Sequence, residues 1–247
     1  MIFPKPSRLK DCQPPGGNYS EPMIKKSLQI LKRNLSRPRG IDFESVYPVS
    51  DYFGDDRGTP VDRLYIDAFL ESSRELIKGN VLEVAEDTYT KKYGRHVTAV
   101  DVLHYEAVPG ATLIGDLSKP ETLPEGRFDC FICTQTIHVI YNFQDAIRGA
   151  WRLLKPGGSL LCTLSGIAQI SRYDMDRWGD YWRFTTLSAQ RSFDDVFGAG
   201  KVVVDYGGNC YAAINFLRGI ALEELDQKKL TIKDANYPIV ITIIATK

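Results

Sequence analysis

Three short apolar runs early in the chain each end in or beside an acidic residue. The runs are Val81–Glu83, Val97–Asp101 and Ala111–Asp116, and a fourth run, Phe128–Thr134, follows them. Strands that alternate with helical segments are typical of a parallel sheet with crossover connections. Such sheets bind ligands beyond the carboxyl ends of their strands, where carboxylates accept hydrogen bonds from hydroxyl and amino groups. The sequence therefore predicts an α/β fold with a ligand site at one sheet edge.

The remainder of the chain continues this alternation. A helical pattern covers Met23 to Leu35, and Thr59-Pro60-Val61-Asp62 predicts a helix that is capped by Thr59 and stops at Gly79. The later elements are a strand over 160–164, a helix from Thr186 or Ser188 to Phe197, a strand over 201–206, a helix over 212–225 and a last strand over 239–244. We expect an amino-terminal extension or lid over residues 1–58 and a Rossmann-like domain over residues 59–247.

Composition narrows the class of protein. The 247 residues carry no formal net charge, which argues against a broad nucleic-acid-binding surface. The longest apolar run, 239–245, is far shorter than the roughly 20 residues that span a bilayer, so we expect a cytoplasmic protein without a membrane span. Cys130 and Cys133 form a C-x-x-C, but residues three apart in a strand point to opposite faces. We therefore expect buried, reduced cysteines and no metal site.

The strand order, together with the turn Lys155-Pro156-Gly157-Gly158 before a strand, resembles class I S-adenosylmethionine-dependent methyltransferases. The resemblance implies a seven-stranded sheet with helices on both faces and one antiparallel strand near the carboxyl terminus. It also implies S-adenosyl-L-methionine as the cofactor. The stretch Asp87-Thr88-Tyr89-Thr90 is similar to that of a bacterial subgroup associated with glycosyltransferases and surface-sugar genes.

The first loop departs from the family pattern. Members of the superfamily follow the first strand with an acid and a Gly-x-Gly-x-Gly turn, in which the glycines let the backbone approach the cofactor. Here Ala85, Asp87 and Tyr89 stand at the glycine positions. A reshaped pocket, a divergent subfamily and a domain that has lost binding all explain this, and the subgroup resemblance favours the second. In that case Asp87 or Thr88 supplies groups that bind the cofactor.

The resemblance implies a set of cofactor-binding residues. They are Glu83, Ala85, Asp87, Thr88, Asp101, Val102, Asp116, Leu117 and Gln135. Asp101, at the end of the second strand, is expected to accept both ribose hydroxyls, and Asp116 with Leu117 to hold the adenine. A local cap is the alternative for Asp101, and His104 could contact the adenosine instead. The absence of a Gly-x-Gly-x-x-Gly fingerprint disfavours a nicotinamide enzyme, which stays an alternative.

His138 is the candidate general base. It lies just past the fourth strand, where this fold brings cofactor and acceptor together, and an imidazole can remove the proton of an acceptor hydroxyl. A structural histidine beneath the loop is the alternative interpretation.

The segment 170–184 combines two Trp, two Tyr, three Asp and three Arg, which is the chemistry of sugar and phosphate recognition. The predicted acceptor-binding residues are Asp56, Arg57, Arg172, Tyr173, Asp176, Trp178, Trp182 and Arg183. The alternative is a surface loop whose ion pairs satisfy each other. A divalent-metal site at Asp174, Asp176 and Asp180 is disfavoured because no histidine accompanies them.

Together these patterns predict an S-adenosylmethionine-dependent methyltransferase that O-methylates a sugar, glycan or related polar metabolite. The alternative is a non-catalytic domain of the same fold that binds a glycan or protein partner. The expected partner is a small-molecule or glycan acceptor and not a nucleic acid, and a homodimer is compatible with the sequence.

Overall fold

The computed structural model describes residues 22–35 and 45–247. The chain divides into two compact units, residues 1–37 and 38–247. In the first unit, helix α1 (Pro22–Leu35) confirms the helix predicted there. The rest of the predicted extension up to residue 44 lies outside the described residues. Across the described ranges, no helix combines the length and apolar character needed to cross a membrane.

The second unit alternates strands and helices as predicted. Its elements are α2 (Val61–Ser72), β1 (Gly79–Val84), α3 (Thr88–Tyr93), β2 (Val97–His104), β3 (Leu113–Ile114), β4 (Phe128–Thr134), α4 (Phe143–Leu153), β5 (Leu154–Ser165), α5 (Arg172–Met175), α6 (Thr186–Phe197), β6 (Val202–Gly207), α7 (Cys210–Leu217), α8 (Gln227–Leu230) and β7 (Val240–Thr246).

The strands form one seven-stranded sheet in the order β3-β2-β1-β4-β5-β7-β6. Strands β1 to β5 pair in parallel, whereas β7 is antiparallel to both β5 and β6. This confirms the predicted fold, including the antiparallel strand near the carboxyl terminus. The strand order reverses between β1 and β4, and ligands of open α/β sheets bind beside such a switch point.

Both faces of the sheet are covered by apolar side chains. On one face Leu82 and Cys133 belong to a core cluster with α4 and α6. On the other face Val81 and Cys130 belong to a second cluster with α2 and α7. The two cysteines of the C-x-x-C therefore lie on opposite faces, as predicted, and both are buried. Burial raises the pKa of the Cys130 thiol far above its ordinary value, which keeps it protonated.

Two predicted helix boundaries are wrong. Helix α2 ends at Ser72 and not at Gly79, since the chain passes through a 3₁₀ turn before β1. The predicted cap at its start is wrong as well, because the Thr59 hydroxyl donates a hydrogen bond to the Glu223 carboxylate at 2.9 Å. Helix α7 ends at Leu217, because Gly219 turns the chain at φ +66°, where the Ser50 carbonyl approaches too closely for a side chain.

Residues 45–58 pack against the carboxyl-terminal half of the second unit. The amide of Val49 donates to the carbonyl of Arg218 at 2.8 Å. Arg57 forms an ion pair with Glu224 at 2.6 Å, and both side chains are buried. This segment runs beside α7 into the start of α2.

Candidate active site

Glu83 lies near the carboxyl end of β1 and forms hydrogen bonds with the start of α3. It is 2% exposed, and its carboxylate accepts hydrogen bonds from the backbone amides of Tyr89 and Thr90 at 2.9 and 2.7 Å and from the Thr90 hydroxyl at 2.7 Å. Burial raises its pKa although these hydrogen bonds oppose the shift. Glu83 therefore serves the start of α3 directly, and its predicted contact with a cofactor stays a prediction.

The loop after β1 takes a glycine-like conformation without a glycine. Ala85, which stands at the first glycine position, has φ +69° in the left-handed region. That conformation costs an ordinary residue about 1–2 kcal/mol, so the surrounding structure must impose it. Asp87 precedes α3 and pairs with Lys91 at 2.8 Å, and Thr88 is the exposed first residue of that helix. Ala85 therefore takes a left-handed conformation in this loop without a glycine, and binding of a cofactor by Asp87 or Thr88 stays a prediction.

Tyr89, at the third glycine position, is directed toward α2. Its hydroxyl accepts a hydrogen bond from the Arg63 guanidinium at 3.2 Å. Its ring stacks with Tyr93 at 6.4 Å and packs against the core cluster that includes α2. The side chain does not line either cavity described below, so it leaves the space beyond β4 open.

The position of Asp101 differs from the prediction. Strand β2 continues to His104, so Asp101 lies three residues before the strand end, about 10 Å from it. Its carboxylate pairs with Arg127 at 2.7 Å and accepts from the Thr112 hydroxyl at 2.7 Å. The neighbouring Val102 is buried within the strand. The placement of Asp101 at the strand end was therefore wrong, and its role as a ribose ligand stays a prediction.

His104 is the last residue of β2, and Tyr105 and Glu106 follow it. The backbone of Ala85 donates to the Leu103 carbonyl at 2.9 Å, so the loop after β1 lies next to this end of β2. His104 Nδ1 lies 3.0 Å from the Glu106 carbonyl oxygen, and the Glu106 side chain is exposed. His104 is the alternative adenosine contact expected from the sequence, whereas no role was predicted for Glu106.

Asp116 and Leu117 follow the short strand β3, but their roles in the fold are local. The Asp116 carboxylate accepts from the Ser118 amide and hydroxyl at 2.9 and 2.7 Å and pairs with Lys119 at 3.3 Å. Burial alone would raise the pKa of Asp116, but these partners bring it below its usual value. Leu117 is buried in the core. Adenine contact by this pair stays a prediction.

A cavity of ≈ 220 Å³ lies beyond the ends of β4 and β5. Its lining comes from the approach to α2, from the first turn of α2, from the loops after β4 and β5 and from α7. The residues are Tyr52, Phe53, Asp55, Pro60, Asp62, Arg63, Gln135, His138, Ser165, Ala168, Gln169, Ser171, Asp174, Asp180, Arg183 and Phe216. Two polar atoms of this set, Asp62 Oδ1 and His138 Nδ1, are buried and have no hydrogen-bond partner among the described residues. Buried polar atoms are nearly always bonded, and these two line a cavity that a ligand can enter, unlike the third such atom, Arg74 Nε, which lines neither cavity.

His138 lies in the wall of this cavity and is 7% exposed. Burial, reinforced by the charge of Arg183, lowers the pKa of His138 to about 4, while Asp180 opposes the shift. The imidazole is therefore neutral at pH 7. Its backbone carbonyl accepts from the Trp182 amide at 3.1 Å, which ties the loop after β4 to the segment after β5.

Gln135, in the loop after β4, is another predicted residue that lines this cavity. Its φ of +48° is rare for a residue other than glycine. Its backbone amide donates a hydrogen bond to the Thr163 carbonyl at 3.0 Å. Strained backbone of this kind is concentrated at functional sites. The strain turns Gln135 out of β4 and into the cavity wall.

The segment after β5 combines inward and outward residues. Asp180 pairs with Arg183 at 2.5 Å, and the Trp182 indole donates to the Tyr141 carbonyl at 3.1 Å and packs edge-on against Phe143. Part of this segment thus forms its ion pairs and packing contacts with the protein itself, as in the alternative interpretation of a surface loop. The exposed residues of this segment include Arg172, Tyr173, Asp176 and Trp178.

Arg172 lines a second, wider groove of ≈ 690 Å³ that also includes Tyr47, Asp51 and Arg218. Gln169 lines both the groove and the smaller cavity, so the two are neighbours at this residue. The exposed aromatics Tyr173 and Trp178 pack edge to face at 5.9 Å.

The two predicted residues that precede α2 are engaged by the protein itself. Asp56 accepts a hydrogen bond from the Ser50 hydroxyl. Arg57 is 1% exposed, is paired with Glu224 and lines neither cavity. Their acceptor-binding roles stay predictions.

Sequence reasoning missed Asp62 and Arg63. Asp62 was recognised only as a first-turn acid of α2, because a sequence pattern locates a helix start without showing what the helix start faces. The orphaned Oδ1 and the raised pKa of Asp62, which follows from burial, appear only in three dimensions.

Comparison with known proteins agrees with this architecture. Residues 79–162 match the model of a family described as a methyltransferase domain. No protein with a curated functional description matches the sequence. The cavity fits the S-adenosylmethionine cofactor, since its lining offers polar atoms that have no partner among the described residues.

Several solved structures share the fold at low sequence identity. An S-adenosylmethionine-dependent methyltransferase from Mesorhizobium loti is 15% identical, with a TM-score of 0.51 over 76% of this chain and 100% of that chain. One from Archaeoglobus fulgidus is 11% identical, with a TM-score of 0.49 over 75% and 94%. The N-methyltransferase NodS from Bradyrhizobium japonicum, solved with S-adenosyl-L-homocysteine, is 14% identical, with a TM-score of 0.47 over 76% and 88%. Residues 79–162 therefore carry a methyltransferase domain, and the seven-stranded sheet to which they belong has the Rossmann-like methyltransferase fold.

Proposed function

We propose that the enzyme transfers a methyl group to a hydroxyl of a sugar, a glycan or a related polar metabolite, with His138 as the general base. This proposal rests on the environment of the His138 imidazole. Its Nδ1 is buried in the wall of the ≈ 220 Å³ cavity and has no hydrogen-bond partner. A hydroxyl that enters the cavity would supply the missing donor.

The protonation state of His138 supports this role. S-adenosylmethionine, when bound, supplies an electrophilic methyl group on a sulfonium. The oxygen of the acceptor gains positive charge as it bonds to carbon, so its proton becomes acidic enough for a weak base. A ring whose pKa is about 4 is neutral at pH 7 and can accept that proton. The carboxylate of Asp180 also lines the cavity and favours the charged ring that results.

The lining of the cavity supports a polyhydroxylated acceptor. Gln135, Ser165 and Gln169 offer amide and hydroxyl groups that both donate and accept. Tyr52 and Phe53 add aromatic rings that can pack on the C–H face of a sugar. These groups suit an acceptor with several hydroxyls better than a flat apolar one.

The position of the groove next to the cavity, with Gln169 in the lining of both, supports an acceptor longer than one sugar unit. The groove has about three times the volume of the cavity and carries Arg172 and Tyr47 in its wall. A terminal unit in the cavity would leave the next units in the groove. The resemblance to a subgroup associated with surface sugars agrees with this acceptor class.

The test is an acceptor panel with S-adenosylmethionine that carries a labelled methyl group. Mono- and oligosaccharides are compared with amines of similar size, and the product is analysed by mass spectrometry for an ether or an N-methyl group. We expect methyl ethers, and we expect oligosaccharides to be better acceptors than their terminal monosaccharides. Labelled amines without labelled ethers would contradict O-methylation.

A further inference from the structure

The first turn of α2 presents two opposite charges to the cavity. Asp62 and Arg63 both line it. Asp62 Oδ1 is buried and has no hydrogen-bond partner, and the Arg63 guanidinium makes one hydrogen bond among the described residues, to the neutral Tyr89 hydroxyl. Neighbouring side chains on a helix do not face each other, and these two form no ion pair among the described residues, although Asp62 and Asp55 both act electrostatically on Arg63. A carboxylate oxygen without a hydrogen-bond partner and a guanidinium whose described hydrogen bond goes to a neutral hydroxyl fit a ligand that carries an ammonium group and a carboxylate.

The position of this pair relative to the first loop narrows the ligand. Arg63 is joined to Tyr89 of α3, directly after the loop at Ala85. In the family that loop lies against the methionine part of the cofactor, and here it lacks the glycines whose backbone makes that approach. Helix α2 is bonded through Arg63 to α3, the helix that follows this loop, so the first turn of α2 is placed to supply contacts that the loop lacks.

We propose that Asp62 and Arg63 bind the amino-acid end of S-adenosylmethionine, with Asp62 accepting from its ammonium group and Arg63 donating to its carboxylate. Both contacts are charge-assisted hydrogen bonds inside a partly buried cavity, where such bonds are strong. In this arrangement the adenosine end extends toward β1 and β2, and the remainder of the cavity, with His138, stays open for the acceptor. The inference rests on the cofactor and does not depend on the identity of the acceptor.

The test compares two ligands that differ in the amino-acid end alone. S-adenosylhomocysteine carries that end, whereas 5′-methylthioadenosine lacks it. Calorimetry on the wild type is compared with Asp62→Asn and Arg63→Gln. We expect each variant to bind S-adenosylhomocysteine about 10- to 100-fold more weakly and to bind 5′-methylthioadenosine as the wild type does.

Asp67→Asn is the matched control, because Asp67 lies on the same helix but pairs with Lys92 on the surface at 3.1 Å. It should leave both affinities unchanged. Equal weakening of both ligands in the Asp62 and Arg63 variants, or no weakening at all, would overturn the inference. Because either residue can be tested alone, failure of one variant to fold does not remove the test. Failure of the proposed O-methylation or of His138 as base would leave the ratio of the two affinities untouched.

Discussion

Polar groups near the ends of β1 and β3 differ from those beyond β4 in whether the protein itself supplies their hydrogen-bond partners. Near the ends of β1 and β3, Glu83 and Asp116 accept hydrogen bonds from their own chain. At the switch point beyond β4, Asp62 Oδ1 and His138 Nδ1 are buried and have no partner among the described residues. A protein leaves buried polar atoms unpaired at a cost of about 1–3 kcal/mol each, so such atoms persist where a ligand supplies the partner.

The comparison changes how strand-end acids should be interpreted. A carboxylate near a strand end can maintain the architecture, as Glu83 does by holding the start of α3. The groups with unused bonding capacity come from α2 and from the loop after β4. Function is therefore better located by unsatisfied atoms than by acidic residues at strand ends. Each prediction below tests this division of roles.

The largest expected effect concerns His138. His138→Ala should lower kcat by roughly 10²–10⁴, because it removes the group that accepts the acceptor's proton. Stopped-time assays of labelled methyl transfer measure kcat, and calorimetry measures cofactor affinity, which should stay near that of the wild type. Near-normal turnover in this variant would reduce His138 to a scaffold residue.

The pH dependence of the rate gives a second view of the same group. Only the neutral ring accepts a proton, and the fraction of neutral ring rises as pH rises through the pKa of about 4. We therefore expect His138 to add no slope to the rate between pH 6 and 8. A rate that rises through pH 6.5 and loses that rise in His138→Gln would show that the imidazole titrates as if it were exposed.

His138 should also make stability depend on pH. Its pKa is about 4 in the folded state and about 6.5 in the unfolded chain, so the unfolded state binds more protons between these values. The free energy of unfolding should therefore fall by about 2 kcal/mol more in the wild type than in His138→Gln when pH falls from 7.5 to 5. Urea unfolding at the two pH values measures this difference, and parallel losses in both proteins would contradict a buried neutral ring.

Much of the fold was predictable from the sequence because strand and helix periods are local. The run Phe128–Thr134 became β4 with the same bounds, whereas Lys155-Pro156-Gly157-Gly158, predicted as a turn before a strand, lies within β5. The extension of β2 to His104 was not predictable, since Val102 and Leu103 join the strand through pairing with β1 and β3. Pairing across a sheet depends on partners distant in sequence, so strand ends are set by tertiary context.

The candidate site was predictable only in part, for the same reason. His138 and Gln135 were named from their place after β4, and both line the cavity. The partners of Asp101 and Arg57 were not visible, because Arg127 and Glu224 approach from other parts of the chain. Asp62 was seen in sequence as a helix-start residue, but the direction in which that helix start points is a property of the packed fold.

The end of β2 offers the next test, with a smaller effect. Glu106 follows the strand end beside the loop at Ala85, whereas Asp101 is paired to Arg127 within the sheet. We expect Glu106→Gln to weaken S-adenosylhomocysteine binding by about tenfold and Asp101→Asn to weaken it less, because only the former group has an exposed carboxylate for ribose hydroxyls. Calorimetry on both variants decides between them. A larger loss in Asp101→Asn would restore the residue named from the sequence.

The smallest expected effect lies in the groove next to the cavity. Arg172 is exposed on its wall, so Arg172→Ala should raise KM for an oligosaccharide acceptor by about three- to tenfold with little change in kcat, since a distant contact holds ground and transition states alike. Arg177→Ala is the matched control, because Arg177 lies over the Tyr173 ring at 3.5 Å and does not line the groove. Steady-state kinetics with a terminal monosaccharide should show no change in KM for either variant, because that acceptor ends within the cavity. An equal rise in KM for the monosaccharide and the oligosaccharide would mean that Arg172 acts on the cavity itself and that the groove does not hold the acceptor.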